Sequence, residues 1–219
     1  MRNIFLGLLA LTAATLAVFA LWPQIDLDAA RVFYGDGGFI GHDPFERAIR
    51  GFFNITPFVV LAGFAGAYAM RRAGIAVAYA PTGRQLAFLI ATMAIGPGLI
   101  VNLGLKDNAH RPRPSQTREF GGRFEFRPWY RFDGECRRNC SFVSGEGSEA
   151  FWMVAPASLV PPPERPLAIA GALLFGVLAS LLRMAFGGHY LSDVILAALV
   201  MLLIVQGARM LLFSRGDPS

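Results

Sequence analysis

Apolar residues run along this chain in long charge-free blocks, and the polar residues gather between them. The blocks are 4–25, 51–70, 85–105, 150–163, 166–182 and 194–208. A helix that crosses a bilayer takes about 20 mostly apolar residues, within a range of roughly 17–25. The first three blocks meet that length and the fifth meets its lower limit. The fourth gains length from Phe142–Gly147, and the sixth from Met210–Phe213 beyond Arg209. The pattern predicts six spans, near 4–24, 51–70, 85–105, 143–161, 166–183 and 191–213, within one domain over 1–219. The expected fold class is all-α, an integral-membrane six-helix bundle with a long outer-side loop at 106–142. That loop is rich in proline, glycine and aromatics, so it should form an ordered lip with little regular structure. PPPERP (161–166) reads as a tight turn at the opposite end.

Composition agrees with a membrane protein. Hydrophobic residues make up 54% of the chain and charged residues 16%, against about 45–50% and about 25% in soluble domains. The N-terminus has signal-peptide features in Arg2 and the small residues Ala17 and Ala20. Its apolar run is longer than a usual signal core, and five more spans follow, which favours an uncleaved first helix.

Orientation follows from the basic residues of short loops, which stay on the cytoplasmic side. Arg2, Arg71, Arg72, Arg84, Arg165, Arg209 and Arg215 all fall on one side of a six-span chain. The other side receives 26–50, the long loop and 183–193. Between Lys106 and Glu146 that loop carries nine Lys/Arg against six Asp/Glu. This runs against a simple charge rule and suggests another task for those cations. Cys136 and Cys140, in CRRNC, can close as a disulfide on an oxidising outer side or stay as thiols. Two cysteines without a nearby histidine do not make a zinc site.

Three polar clusters fall on that outer side: Lys106–Pro114 after the third span, Ser141–Ser148 before the fourth, and Arg183–Asp193 between the last two. His189 and Asp193 are four residues apart and share a face if the segment is helical. A carboxylate there can keep one imidazole nitrogen protonated and leave the other as a nucleophile or base. Lys106, Arg113 and Arg183 supply fixed cations. Ser144-Gly145 opens a helix, and backbone N–H groups there suit an anion. Taken singly, each feature has an ordinary reading. Span-end cations snorkel to headgroups, a histidine at a helix start caps it, SxxE is a capping pattern, and RPRP is a turn. Together they are the parts of a phosphoryl-transfer site, with cations on the equatorial oxygens and an in-line nucleophile.

These residues resemble the type 2 phosphatidic acid phosphatase superfamily, membrane lipid phosphatases related to the vanadium haloperoxidases. The family pattern is Lys-x6-Arg-Pro, then Pro-Ser-Gly-His, then Ser-Arg-x5-His-x3-Asp. The first part is Lys106 to Arg113-Pro114; Arg111-Pro112 falls two residues early, and the six-residue gap selects Arg113. The third part is Arg183, His189 and Asp193 with the spacing intact, and Leu182 stands where the family has Ser. The second part is altered: Val143-Ser144-Gly145-Glu146 puts Val for Pro and Glu for His.

The resemblance implies the following roles. His189 is the nucleophile that forms a phospho-histidine, and Asp193 orients it. Lys106, Arg113, Arg183, Ser144 and Gly145 bind phosphate. Glu146 falls in the general-acid position. A carboxyl can serve there if burial and nearby phosphate raise its pKa. His110 is an alternative acid, His42 lies far upstream, and a good leaving group would need little acid help. No metal and no cofactor is implied.

The expected partners are the bilayer and a membrane lipid phosphate, not nucleic acid. The expected location is a bacterial inner membrane with the site facing the periplasm. The basic lip and the altered second motif favour lipid A dephosphorylation. Undecaprenyl diphosphate or phosphatidylglycerol phosphate are the alternative substrates. A lipid phosphotransferase or a non-catalytic phospholipid-binding protein of the same fold are the alternative functions.

Overall fold

A computed structural model describes residues 1–35, 37–41, 43–106 and 108–213. Asp36, His42, Asp107 and the tail 214–219, with Arg215, lie outside the described residues. Among the described residues five helices are long and apolar enough to cross a membrane. They are α1 (Arg2–Leu21), α3 (Pro44–Arg72), the helix Gly83–Lys106, α7 (Arg165–Ala185) and α8 (Leu191–Leu212). The outward faces of α1 (Ile4, Leu6, Leu9, Leu11) and α3 (Phe52, Ile55, Phe58, Val59) are exposed large apolar side chains. Apolar surface on this scale calls for a lipid covering.

The third spanning helix changes pitch midway. Its first part, α4, covers Gly83–Met93, and Ala94–Lys106 continues as a wider π-type helix. Pro97 explains the change. It has no N–H for the Met93 carbonyl four residues back, and its ring crowds that oxygen. Widening the turn relieves both problems.

The span expected at 143–161 is not one continuous helix. It is two short pieces, α5 (Gly145–Phe151) and α6 (Val154–Ala157). Pro156 stands four residues after Trp152 and breaks the ladder there. The chain crosses the break with tighter bonds, Met153 N–H to Ala150 O at 3.2 Å and Ala155 N–H to Trp152 O at 2.7 Å. The broken helix runs through the middle of the bundle. Phe151 and Trp152 pack among Phe88, Leu89, Met93 and Met201. Trp152 is fully buried, and its Nε1–H donates to Thr92 Oγ1 at 3.0 Å.

Two small features of 26–50 escaped the sequence pattern. Helix α2 (Gln24–Arg31) lies just after α1, and Tyr34–Gly35 (β1) pairs antiparallel with Gly38–Phe39 (β2). The lip has little regular structure, as expected, and docks on the α7–α8 connection through Ser115 N–H to Gly187 O at 3.0 Å. Trp129 Nε1–H ties it to Leu16 O of α1 at 3.2 Å. Cys136 and Cys140 are joined as a disulfide. One end of the bundle therefore gathers the end of the third helix (Lys106), the start of α5, the end of α7 (Arg183) and the start of α8.

Candidate active site

His189 sits in the short connection between α7 and α8 and is fully buried. Its Nδ1 lies 2.7 Å from the Ser141 carbonyl oxygen. A carbonyl can only accept, so Nδ1 carries the proton and Nε2 keeps its lone pair. The direct orienting group is thus Ser141, and Asp193 stands behind at 3.8 Å from the same nitrogen. Asp193 is also tied to Ser141, whose Oγ–H donates to Asp193 Oδ2 at 2.5 Å. The same oxygen accepts Tyr190 N–H at 2.9 Å, which caps α8. Burial pushes His189 down to about 4, against a smaller opposing effect of Asp193. The imidazole is therefore neutral at ordinary pH, as a nitrogen nucleophile must be.

The cations expected from the sequence sit around this group at different depths. Arg183 is nearly buried in the last turn of α7. Its guanidinium packs against Gly188, where an added Cβ would stand 2.5 Å from Nη2. Its Nε–H has no hydrogen-bond partner among the described residues, although Glu146 Oε1 is 3.5 Å away. Lys106 reaches the start of α5. A Cβ on Gly145 would stand 2.8 Å from Lys106 Nζ and 2.9 Å from Asn102 Oδ1, so only glycine fits there without displacing them. Arg113 lies further out, with its Nη2 donating to Asn139 O at 3.0 Å and to Asn139 Oδ1 at 2.9 Å.

Ser144 is occupied as a cap. Its Oγ accepts Gly147 N–H at 3.0 Å, and its own N–H donates to the Asp193 carbonyl at 3.3 Å. Ser144 therefore joins α5 to α8, and Gly145 holds the approach to Lys106. Glu146, in the first turn of α5, takes a two-pronged ion pair from Arg50 of α3. Nε donates to Oε2 at 2.9 Å and Nη2 to Oε1 at 2.5 Å. Sequence reasoning missed Arg50. The only signal was a cation six residues into an outer-end helix, which reads as ordinary snorkelling.

His110 stands apart from this group. Its Nδ1 lies 2.9 Å from Cys136 O, and it lines an open cleft of about 830 Å³ with Arg123, Arg137 and Arg138. Neither His189, Asp193 nor Glu146 lines that cleft. Its neighbour Arg111, passed over because of its spacing, points the opposite way into the protein and is fully buried. Arg111 Nη1 donates to Asp193 Oδ1 at 2.6 Å and Ser192 Oγ at 2.8 Å, and Nη2 donates to Asp26 Oδ2 at 2.7 Å. Arg111 therefore bonds directly to the carboxylate that stands beside His189. Asp26 opens the outer-side segment 26–50, and nothing in the local pattern marks it as buried. Among the described residues no group of three or more His, Cys, Asp or Glu could hold a metal ion.

The family model of the PAP2 superfamily matches residues 85–216, which contain all three motifs. A lipid A 4'-phosphatase of Rhizobium leguminosarum is 33% identical over 209 residues, covering 87% of this chain and 88% of that one. The lipid A 4'-phosphatase of Rhizobium etli is 33% identical over 207 residues, covering 87% of this chain and 80% of that one. The lipid A 4'-phosphatase of Francisella tularensis subsp. novicida is 33% identical over 207 residues, covering 88% of each. No solved structure matches. The Lys106–Arg113 and Arg183–His189–Asp193 spacings, the helical membrane bundle that joins them and the match over 85–216 place the chain in the PAP2 superfamily.

Proposed function

We propose that the protein is a lipid A phosphatase of the bacterial inner membrane, that it removes the 4'-phosphate at the periplasmic face, and that it works through a phospho-histidine. One observation carries the reading. A buried, neutral imidazole with Nδ1 held by a carbonyl sits at the same end of the bundle as Lys106, Arg113 and Arg183. The lipid A 4'-phosphatases that match along most of the chain support the substrate. Basic residues at the opposite end, including Arg165 and Arg209, support the orientation.

In the first step His189 Nε2 attacks phosphorus, and the bond from phosphorus to the sugar oxygen breaks. Lys106, Arg113, Arg183 and the Gly145 backbone bear the charge on the phosphoryl oxygens. Nδ1 keeps its proton and goes on donating to the Ser141 carbonyl, and Asp193 offsets the positive charge that the phosphorylated ring gains. A 4'-hydroxyl is an ordinary sugar alcohol, so the departing oxygen needs a proton. Glu146 supplies it. In the resting site Arg50 and Arg183 pair with Glu146. An incoming phosphate dianion competes for those guanidiniums and adds a negative neighbour, and both effects favour a protonated carboxyl. Water then attacks the phospho-histidine, with Glu146 taking its proton, and releases inorganic phosphate.

The test is phosphate release by the purified protein in detergent micelles without divalent metal. Lipid A, undecaprenyl diphosphate, phosphatidylglycerol phosphate and phosphatidic acid are compared side by side. Release from lipid A, abolished in His189→Ala, is expected. Preferential release from another lipid would change the substrate. Tight binding without release would leave a binding protein. Glu146→Gln is expected to lower kcat by about 100-fold or more, the range of a lost general acid. A Gln variant at near wild-type kcat would remove Glu146 from that role.

A further inference from the structure

The arrangement behind His189 extends further than the family motifs. Asp26 lies on α2, before the 85–216 region matched by the family model, and is separated in sequence from Ser192 by 166 positions. Its carboxyl is nevertheless wholly internal and takes three bonds. Ser192 N–H donates to Oδ1 at 2.8 Å, Ser192 Oγ–H to Oδ2 at 2.7 Å and Arg111 Nη2 to Oδ2 at 2.7 Å. Arg111 passes the constraint on. Its Nη1 grips Asp193 Oδ1 at 2.6 Å, and its backbone carbonyl accepts Ser141 N–H at 2.9 Å. Ser141 in turn holds His189 Nδ1 through its carbonyl. The guanidinium has little freedom to choose another geometry. It lies 4.3 Å from the Tyr190 ring centre and 5.5 Å from that of Phe126, and its Nε–H donates to Arg127 O at 2.8 Å. Asp26, Arg111, Ser141, Ser192, Asp193 and His189 are all at most 1% exposed.

We infer that Asp26, acting through Arg111, is a positioning residue for His189, so that α2 belongs to the catalytic apparatus. The inference rests on His189 being the nucleophile. Burying two carboxylates around one guanidinium is a poor route to stability, since apolar side chains of similar volume do as well or better. Its use here is geometric. Asp26 fixes one edge of the Arg111 fork, which leaves the other edge one direction in which to hold Asp193. Asp193 and Ser141 then keep the imidazole aimed in line with phosphorus. A ring free to turn loses much of the rate that alignment supplies. Asp26 takes no part in the phosphate cradle, so substrate affinity does not depend on it.

The test uses the full-length protein in detergent micelles with lipid A as substrate. Asp26→Asn keeps the shape and removes the charge. Its kcat should fall about tenfold or more, the effect of one lost charge-assisted hydrogen bond. KM and inhibition by inorganic phosphate should stay within about twofold. Asp26→Asn combined with Asp193→Asn should be little slower than Asp193→Asn alone, because both act along one line. A kcat unchanged per folded molecule would overturn the inference, and so would losses that multiply in the double variant. If Asp26→Asn does not fold, Ser192→Ala decides the matter. It removes the hydroxyl that bridges Asp26 Oδ2 and Arg111 Nη1, leaves their direct ion pair in place and strands no charge, and it should lower kcat about threefold at unchanged KM. No change in kcat there would overturn it. A wild-type protein that releases no phosphate from any lipid would instead defeat the proposed function itself.

Discussion

At the scale of single residues, the site is a set of side chains whose partners fix what each can do. His189 is the clearest case, because burial disfavours its charged form. Its pKa stands at about 4, against an ordinary value of 6.5. Between those values the unfolded chain binds a proton that the folded chain refuses. The contribution of this group to stability is complete above about 6.5 and is lost as pH falls toward about 4. Melting in detergent should show that loss, and a His189→Gln variant should lack it. If His189 is the nucleophile as proposed, the acid limb of kcat/KM should likewise lie near 4 and not near 6.5, since the imidazole stays neutral until then. Gly145 is the second case. A methyl group there would meet Lys106 Nζ at 2.8 Å. Gly145→Ala should displace that ammonium and lower kcat/KM by about tenfold, with melting little changed, because the clash is with the end of a flexible side chain.

At the scale of elements, the sequence pattern was most informative where length alone decides. The long apolar blocks 4–25, 51–70, 85–105, 166–182 and 194–208 became spanning helices. It was least informative where one residue overrides the pattern. Pro156 divides the expected fourth span, and Pro97 widens the third helix. The broken helix is held by packing more than by its backbone. Truncating Trp152 to Ala removes its whole contact with Phe88, Leu89 and Met93 and its bond to Thr92. Trp152→Ala should cost about 3–5 kcal/mol, read as a lower melting temperature or loss of folded protein. The lip behaves differently. The Cys136–Cys140 disulfide encloses Asn139, which carries the Arg113 guanidinium. Loosening it with Cys136→Ser and Cys140→Ser should raise KM a few-fold, about 1 kcal/mol of binding, while kcat stays within about twofold.

At the scale of the molecule, three motifs far apart in sequence meet because alternating crossings return the chain to the same membrane end. Motif spacing and topology made that convergence legible in the sequence, and Lys106, Arg183, His189 and Asp193 gather at one end of the bundle. The supporting shell was not legible. Arg50 and Asp26 sit in unremarkable local contexts, Arg111 falls off the motif spacing, and only the tertiary fold brings them to Glu146 and Asp193. Ser141 illustrates the same limit, because its contribution is a backbone carbonyl that no side-chain pattern marks. The fixed cations also carry a prediction for the whole enzyme. In the proposed function Lys106, Arg113 and Arg183 supply the positive charge that phosphoryl transfer needs. Phosphate release should therefore persist in excess EDTA, and a loss of activity restored by a divalent cation would count against it.

The most direct measurement is to trap the covalent intermediate. Lipid A labelled in its 4'-phosphate would be mixed with the purified protein, quenched within the first turnover, and the labelled residue mapped. The account predicts an acid-labile phosphoryl group on His189 that forms and decays at the rate of turnover and is absent from His189→Ala. Label on a different residue, or phosphate release that survives His189→Ala, would contradict it.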